Sequence, residues 1–283
     1  MRFGEFNRPS VQLAQLSFSM AAGYRFAMRA VARSIDEALS PLVGGRGLVL
    51  DSLGPFQNSD RSYTLPRFTF AGTNSSDPIR IGIFAGIHGD EPAGTLATIE
   101  FLRQLTTEPL RAESYLVRAY PLCNPTGIED NTRVSRGGPD LNRCFWKNSA
   151  EPEVRLIERE LREQRFNGLI QLHADDTSDG LYGFVRGHTL SENLLKPALA
   201  AAGRILPRNI NAQIDGFAAK DGIIYEGYEG ILAAPAELQP PPFEIILETP
   251  HHAPMEKQID ALVIAMQTIL DEYRQLIAFA ANL

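Results

Sequence analysis

Two rhythms of apolar and polar residues run along this chain. Short, nearly unbroken apolar runs occur at IRIGIFAGI (79–87), YLVRAYPL (115–122), FNGLIQLH (166–173) and EIILE (244–248). Runs of this kind suit strands buried on both faces, as in a parallel sheet. Between them lie helically spaced segments: Pro92 leading into TLATIEFLRQL, the charged stretch 151–165, residues 190–203 and residues 255–281. Pro92 fits a first helical position, where its missing N–H costs nothing. Strands are also predicted at 47–53 and 61–72, and the Gly- and Pro-rich stretch 215–242 is predicted as loop. Residues 1–45 read as a helical N-terminal extension ending near Gly44-Gly45-Arg46-Gly47. Strands alternating with helices predict an α/β fold with a mainly parallel sheet covered on both faces, and the 283 residues suit one domain.

Composition narrows the function classes. A hydrophobic share of 44% with 22% charged residues is ordinary for a globular chain with a sizeable core. The net charge of −7, with no basic stripe, argues against nucleic acid as a partner. Cys123 and Cys144 read as reduced thiols of a cytoplasmic protein. Residues 11–33 are moderately apolar, but Gln12, Gln15, Ser17 and Ser19 interrupt them and Arg25, Arg29 and Arg33 follow. A surface amphipathic helix is therefore expected there rather than a signal peptide, and no run is long enough to span a membrane.

The chemistry begins at His88-Gly-Asp-Glu91, directly after the run 79–87 and before Pro92. A strand-to-helix turn is where open α/β sheets bind ligands. The residue before proline is pushed out of helical geometry, which lets Glu91 turn toward the point His88 faces. Two potential ligands three residues apart are weak by themselves, since they equally suit polar residues at a helix start. A third ligand is available in His173, at the end of another buried run; two His and one Glu form a common catalytic zinc set. Arg133, Arg136 and Arg143 crowd the loop Asn124–Arg143, where each either recognises a carboxylate or pairs with Glu129, Asp130 or Asp140. Glu248 ends the last apolar run, where a carboxylate is costly unless it is paired or faces a site. GIFAGIHG does not match the dinucleotide-binding G-x-G-x-x-G. His251 and His252 read as surface residues, and Asp175 and Asp176 as a solvated loop or ligand-orienting groups.

In order and local context, His88-x-x-Glu91, Asn124-Pro125-x-Gly127, Arg133, Asp140-Leu-Asn142-Arg143, His173 and Glu248 resemble the zinc carboxypeptidase superfamily, including its succinylglutamate desuccinylase/aspartoacylase branch. The resemblance covers residues 79–250. It implies a mixed sheet of about eight strands flanked by helices, and one zinc ion per chain held by His88, Glu91 and His173. Glu248 would be the general base, taking a proton from the attacking water and passing it to the leaving amine. Arg133 would polarise the scissile carbonyl, with Arg136 as its rival. Asn142 and Arg143 would clamp a substrate carboxylate. Tyr228, with Tyr225 as the alternative, would stand for the mobile tyrosine of carboxypeptidases.

The function expected is a zinc-dependent, carboxypeptidase-like metallopeptidase cleaving an amide bond next to a free carboxylate. The runner-up is an N-acyl amino acid amidohydrolase of the desuccinylase/aspartoacylase type. The single helix read after Glu248 favours the peptidase, and the short arginine loop favours the runner-up. A binding module without activity is disfavoured because the ligands and the base are all present. The expected partner is a peptide or N-acyl amino acid with a free carboxylate, with neither nucleic acid nor membrane involved.

Overall fold

A computed structural model describes Leu39 and residues 42–73, 76–186 and 188–280. The helical extension predicted over 1–45 falls almost entirely outside the described residues. Strand β1 (Leu48–Asn58) and strand β2 (Arg61–Ala71) form an antiparallel pair; in β2, Tyr63, Leu65, Phe68 and Phe70 are buried between more exposed neighbours. Next come β3 (Ile79–Ala85), α1 (Pro92–Thr107), β4 (Tyr115–Tyr120), the short α2 (Pro125–Asp130) and α3 (Pro152–Gln164). These are followed by β5 (Gly168–Asp175), β6 (Tyr182–Arg186) and α4 (His188–Ala202). The short strands β7 (Gln213–Ile214), β8 (Phe217–Lys220) and β9 (Ile223–Ile224) lead to β10 (Phe243–Pro250) and α5 (Met255–Ala280).

The described strands form one sheet of ten, in the order β1-β2-β4-β3-β5-β10-β6-β9-β8-β7. It is mixed, as expected, but parallel pairing is confined to its centre and to β6 with β9. The flanks are antiparallel. The count exceeds eight partly because 215–242 is not all loop: β8 and β9 lie within it. Two- to four-residue strands carry too little alternation to be read from sequence.

The central strands β3, β5 and β10 are buried on both faces, which accounts for their unbroken apolar runs. Ile81, Ile83, Ile170, Leu172, Ile245 and Leu247 point to one face and pack under α1, α4 and α5. Phe84, Leu169 and Phe166 belong to the opposite face, covered by Val154, Ile157 and Leu161 of α3. Each such fully buried side chain contributes roughly 1.5–3 kcal/mol over exposure. Side chains alternate along a strand, so Gln171 and His173 share the α3 face with Leu169, and Glu244, Ile246 and Glu248 share it on β10. Among the described residues, no helix is long and apolar enough to cross a membrane.

Candidate active site

Three neighbouring parallel strands deliver the candidate residues to one edge. His88 and Glu91 follow the carboxyl end of β3, and His173 stands near the end of β5. Glu248 lies opposite His173 in the β5–β10 register and opposite Tyr182 in the β10–β6 register. Glu91 has φ −110° and ψ 65°, outside helical geometry as its place before Pro92 requires, and α1 starts immediately after it. Gly89 is obligatory for packing reasons: a Cβ there would run into the backbone of Gly127. The opposing wall is fixed by Asn124, whose side-chain oxygen accepts from Gly127 N (2.8 Å) and whose amide donates to the Ile87 carbonyl (3.1 Å). The Asn124-Pro125-x-Gly127 element therefore braces the turn that carries His88 and Glu91.

His88, Glu91 and His173 are each no more than 6% exposed, and each turns a donor atom to a common point, all within 4.8 Å of one another. Glu91 Oε1 is 2.7 Å from His88 Nδ1, Glu91 Oε2 is 3.0 Å from His173 Nδ1, and the two Nδ1 atoms are 3.2 Å apart. Two ring nitrogens and two carboxylate oxygens this close need protons or a cation between them, so the donor set fits a metal ion. His88 is oriented from behind by Asp140, whose Oδ1 lies 3.1 Å from Nε2, the carboxylate–histidine arrangement that fixes a ligand's tautomer. His173 has Asn142 Nδ2 3.5 Å from its Nε2. The sequence offered Asp140 only as a partner for the loop arginines, a role it fills toward Arg133 at 3.0 Å, because an acid behind a histidine looks the same in sequence as one pairing with an arginine.

The electrostatics follow from these contacts. Burial alone would lower the His88 pKa, but its bonds to Asp140 and Glu91 outweigh burial and raise it. For His173 burial dominates over the attraction of Glu91, and the pKa falls. Glu91 resists the upward push of burial because both imidazoles hold its carboxyl far below the usual range. Asp140 is lowered likewise, His88 and Arg133 overcoming its burial. Glu248 moves the other way: burial first, then Glu91, Asp175 and Asp215, push it well above the carboxylate range against Arg133.

Glu248, His173, Arg133, Asn142, Arg143, Tyr228 and Asp215 line one open cleft. Arg133 reaches Asp140 through Nε (3.0 Å) and Glu91 through Nη1 (3.4 Å). Arg136 is not brought to the cleft; it binds Asp130, Glu129 and the Tyr63 hydroxyl. The Asn142 side-chain oxygen accepts from Leu232 N (2.8 Å), which leaves its amide N–H₂ group for the cleft. Arg143 donates to the Asn142 carbonyl and stacks over the Tyr228 ring at 4.1 Å. Tyr228 in turn donates to Asp215 Oδ1 (2.9 Å). Tyr225 does not line this cleft but the neighbouring cavity. His251 and His252 are exposed and hydrogen-bonded to backbone carbonyls, and Asp175 accepts from Thr177 and Tyr182, so none of them joins the donor cluster.

Comparison with known proteins fits this geometry. The family described as the succinylglutamate desuccinylase/aspartoacylase catalytic domain matches residues 78–214, just under half of the chain. No curated protein matches the sequence. A candidate metallopeptidase of Shewanella amazonensis is similar in structure, with a TM-score of 0.71 and 23% identity, covering 85% of this chain and 92% of that one. Another, of Shewanella denitrificans, gives 0.69 and 24% over 84% and 88%. A metallo-carboxypeptidase of Pseudomonas aeruginosa, in complex with (2-guanidinoethylmercapto)succinic acid, gives 0.65 and 17% over 84% and 68%. At these identities the structures establish a shared fold, while the family match covers His88, Glu91, the arginine loop and His173. Residues 78–214 are thus similar to the succinylglutamate desuccinylase/aspartoacylase catalytic domain, and the fold is shared with the metallopeptidase and metallo-carboxypeptidase structures.

Proposed function

We propose that this protein is a zinc-dependent, carboxypeptidase-like hydrolase that cleaves an amide bond next to a free carboxylate. The observation that carries the proposal is the cluster of His88, Glu91 and His173, whose His173 lines one cleft together with Glu248 and Arg133. The donor set of two imidazoles and one carboxylate suits zinc. When bound there, zinc would supply Lewis-acid polarisation and make water a stronger acid. Glu248 accepts the proton of the attacking water and returns it to the leaving nitrogen; its raised affinity for protons suits it to both transfers. Arg133 donates to the carbonyl oxygen as charge grows on it. Arg143, with the Asn142 amide, holds the substrate carboxylate, and the Tyr228 ring keeps the guanidinium in place. The two free thiols, Cys123 and Cys144, suit a reducing, cytoplasmic setting.

The family match favours a second reading on the same machinery, with a small N-acyl amino acid in place of a peptide. One experiment tests the function and separates the two. Zinc-loaded protein is screened against peptides with free or blocked carboxyl ends and against N-acyl amino acids. Turnover of free-carboxylate peptides supports the first reading, and turnover of acyl amino acids alone supports the second. Glu248→Gln should retain about one zinc per chain by elemental analysis while losing about 10²–10⁴-fold in rate. His88→Ala should lose the metal. A folded wild-type protein that takes up no zinc would sink both readings.

A further inference from the structure

The β7–β8 hairpin turns on two residues, Asp215 and Gly216, with Ile214 facing Phe217 across the turn. Both turn residues have positive φ, 51° and 80°, the backbone of a tight hairpin that the pair Asp-Gly favours. Ile214 is buried in one apolar cluster with Tyr182 and Phe184, and Phe217 packs on the same cluster. The hairpin is thus seated on the core, and its tip brings the half-buried Asp215 to the cleft wall.

Asp215 fastens Tyr228. The tyrosine hydroxyl donates to Asp215 Oδ1 at 2.9 Å and lies 3.3 Å from the Asp215 carbonyl oxygen, so both acceptors come from one turn residue. Phe217 meets the tyrosine ring with centroids 4.9 Å apart and planes at 82°. The Arg143 guanidinium lies over that ring, 4.1 Å from its centroid. A phenol has one proton to give, and here it is committed. The resemblance to carboxypeptidases implies a mobile tyrosine, whereas Tyr228 is held by three neighbours. Arg143 gives Nη1 to the Asn142 carbonyl, and the ring steadies the rest of its fork. Ordering a long side chain on binding costs affinity, so a guanidinium already held takes a carboxylate more tightly.

Building on the hydrolase reading, we propose that Asp215 is a positioning residue: it pins the Tyr228 hydroxyl, so that the ring holds Arg143 ready for the substrate carboxylate and does not itself donate to the substrate. The carboxylate that Arg143 takes is unchanged by the reaction, and the proton transfers belong to Glu248. An interaction made equally in the ground state and the transition state shows itself in KM rather than in kcat. Asp215 therefore acts on binding, through two intermediaries, and leaves the bond-breaking step alone.

The test uses the zinc-loaded full chain and two ligands without a peptide bond, hydrocinnamate and its uncharged amide. The ratio of their affinities, measured by calorimetry, reads carboxylate recognition independently of turnover. Asp215→Gly keeps the turn and removes the side-chain acceptor; it should cut the ratio about 3–10-fold, the usual worth of one hydrogen bond. Asp215→Asn keeps both the turn and an acceptor, and should stay within about twofold of the wild type. Tyr228→Phe should lose the same factor as Asp215→Gly, and the double variant no more than either, because both cut one link. With a turned-over substrate, the loss in Asp215→Gly should fall on KM. An unchanged ratio in Asp215→Gly, an equal loss in Asp215→Asn, additive losses in the double variant, or a loss confined to kcat would each overturn the role of Asp215. Absence of hydrolysis in the substrate screen would instead overturn the hydrolase reading, and the affinity ratios would still judge Asp215.

Discussion

Arg133 and Arg136 lie three residues apart on one loop, both among carboxylates, yet they end in opposite situations. Arg136 meets Glu129, Asp130 and the Tyr63 hydroxyl at 2.7–2.8 Å, and Asp130 takes it in a two-point grip. Nothing in that knot faces the cleft. Arg133 divides itself between Asp140 and Glu91, and both of those carboxylates are also held by imidazoles. Its contact with Glu91 is the longer, at 3.4 Å, and its side chain is 46% exposed along the cleft wall. A closed arginine–carboxylate knot spends its hydrogen bonds on holding the fold. An arginine with divided partners beside open space keeps capacity for a ligand. The sequence favoured Arg133 with Arg136 as its rival, and the third dimension separates the two.

The sharpest way to break the contrast is to remove each arginine in turn. Arg133→Ala should lower kcat by about 10²–10³-fold, the usual loss for one donor to a developing oxyanion, with the metal content unchanged. Steady-state rates set beside zinc per chain check this, and an unchanged kcat would transfer the role elsewhere. Asp140→Asn acts one step back, on the orientation of His88. It should loosen metal binding by about 10–100-fold, read by competition with a chelator, while leaving the fold intact. Arg136→Ala should do the reverse of Arg133→Ala. Glu129 is 6% exposed and would lose its closest cation, so stability should drop by about 1–3 kcal/mol in denaturant unfolding. The rate per folded molecule should stay near that of the wild type; a collapse in kcat with unchanged stability would erase the distinction between the two arginines.

The same contrast explains what could be read in the sequence. His88, Glu91, His173 and Glu248 were legible because each sits at the end of an apolar run, and strand ends on a parallel sheet share an edge. The central strands and α1, α3, α4 and α5 were legible because continuous burial or helical spacing leaves a strong period. β6 was not, since YGFVR is short and follows a polar loop; β8 and β9 were hidden by the glycines and charges around them. What holds Arg136 away from the cleft includes Tyr63, which is remote in sequence, and no local pattern carries that contact. Asp140 stands behind His88 through a contact that only the fold makes.

A smaller effect extends the comparison to a carboxylate with no cation at all. Glu153, in the first turn of α3, is fully buried, and neither of its oxygens has a hydrogen-bond partner among the described residues. Burial, reinforced by the negative charge of Glu151, raises its pKa, whereas cations hold the carboxylates of Glu91 and Asp140 down. The sign of the linkage is therefore reversed from the usual case for an acid. With the folded pKa above the unfolded one, the contribution of Glu153 is complete below the ordinary carboxylate pKa and is lost as pH rises through the folded value. Glu153→Gln removes the ionisation while keeping the shape. It should stabilise the protein at neutral pH by about 1 kcal/mol, a rise of roughly 2–4 °C in Tm for a chain of this size. The gain should disappear by about pH 4, where the wild-type carboxyl is protonated in both states. Thermal melts of the two proteins across that range decide the matter: a gain independent of pH would mean that packing, not charge, sets the cost of Glu153.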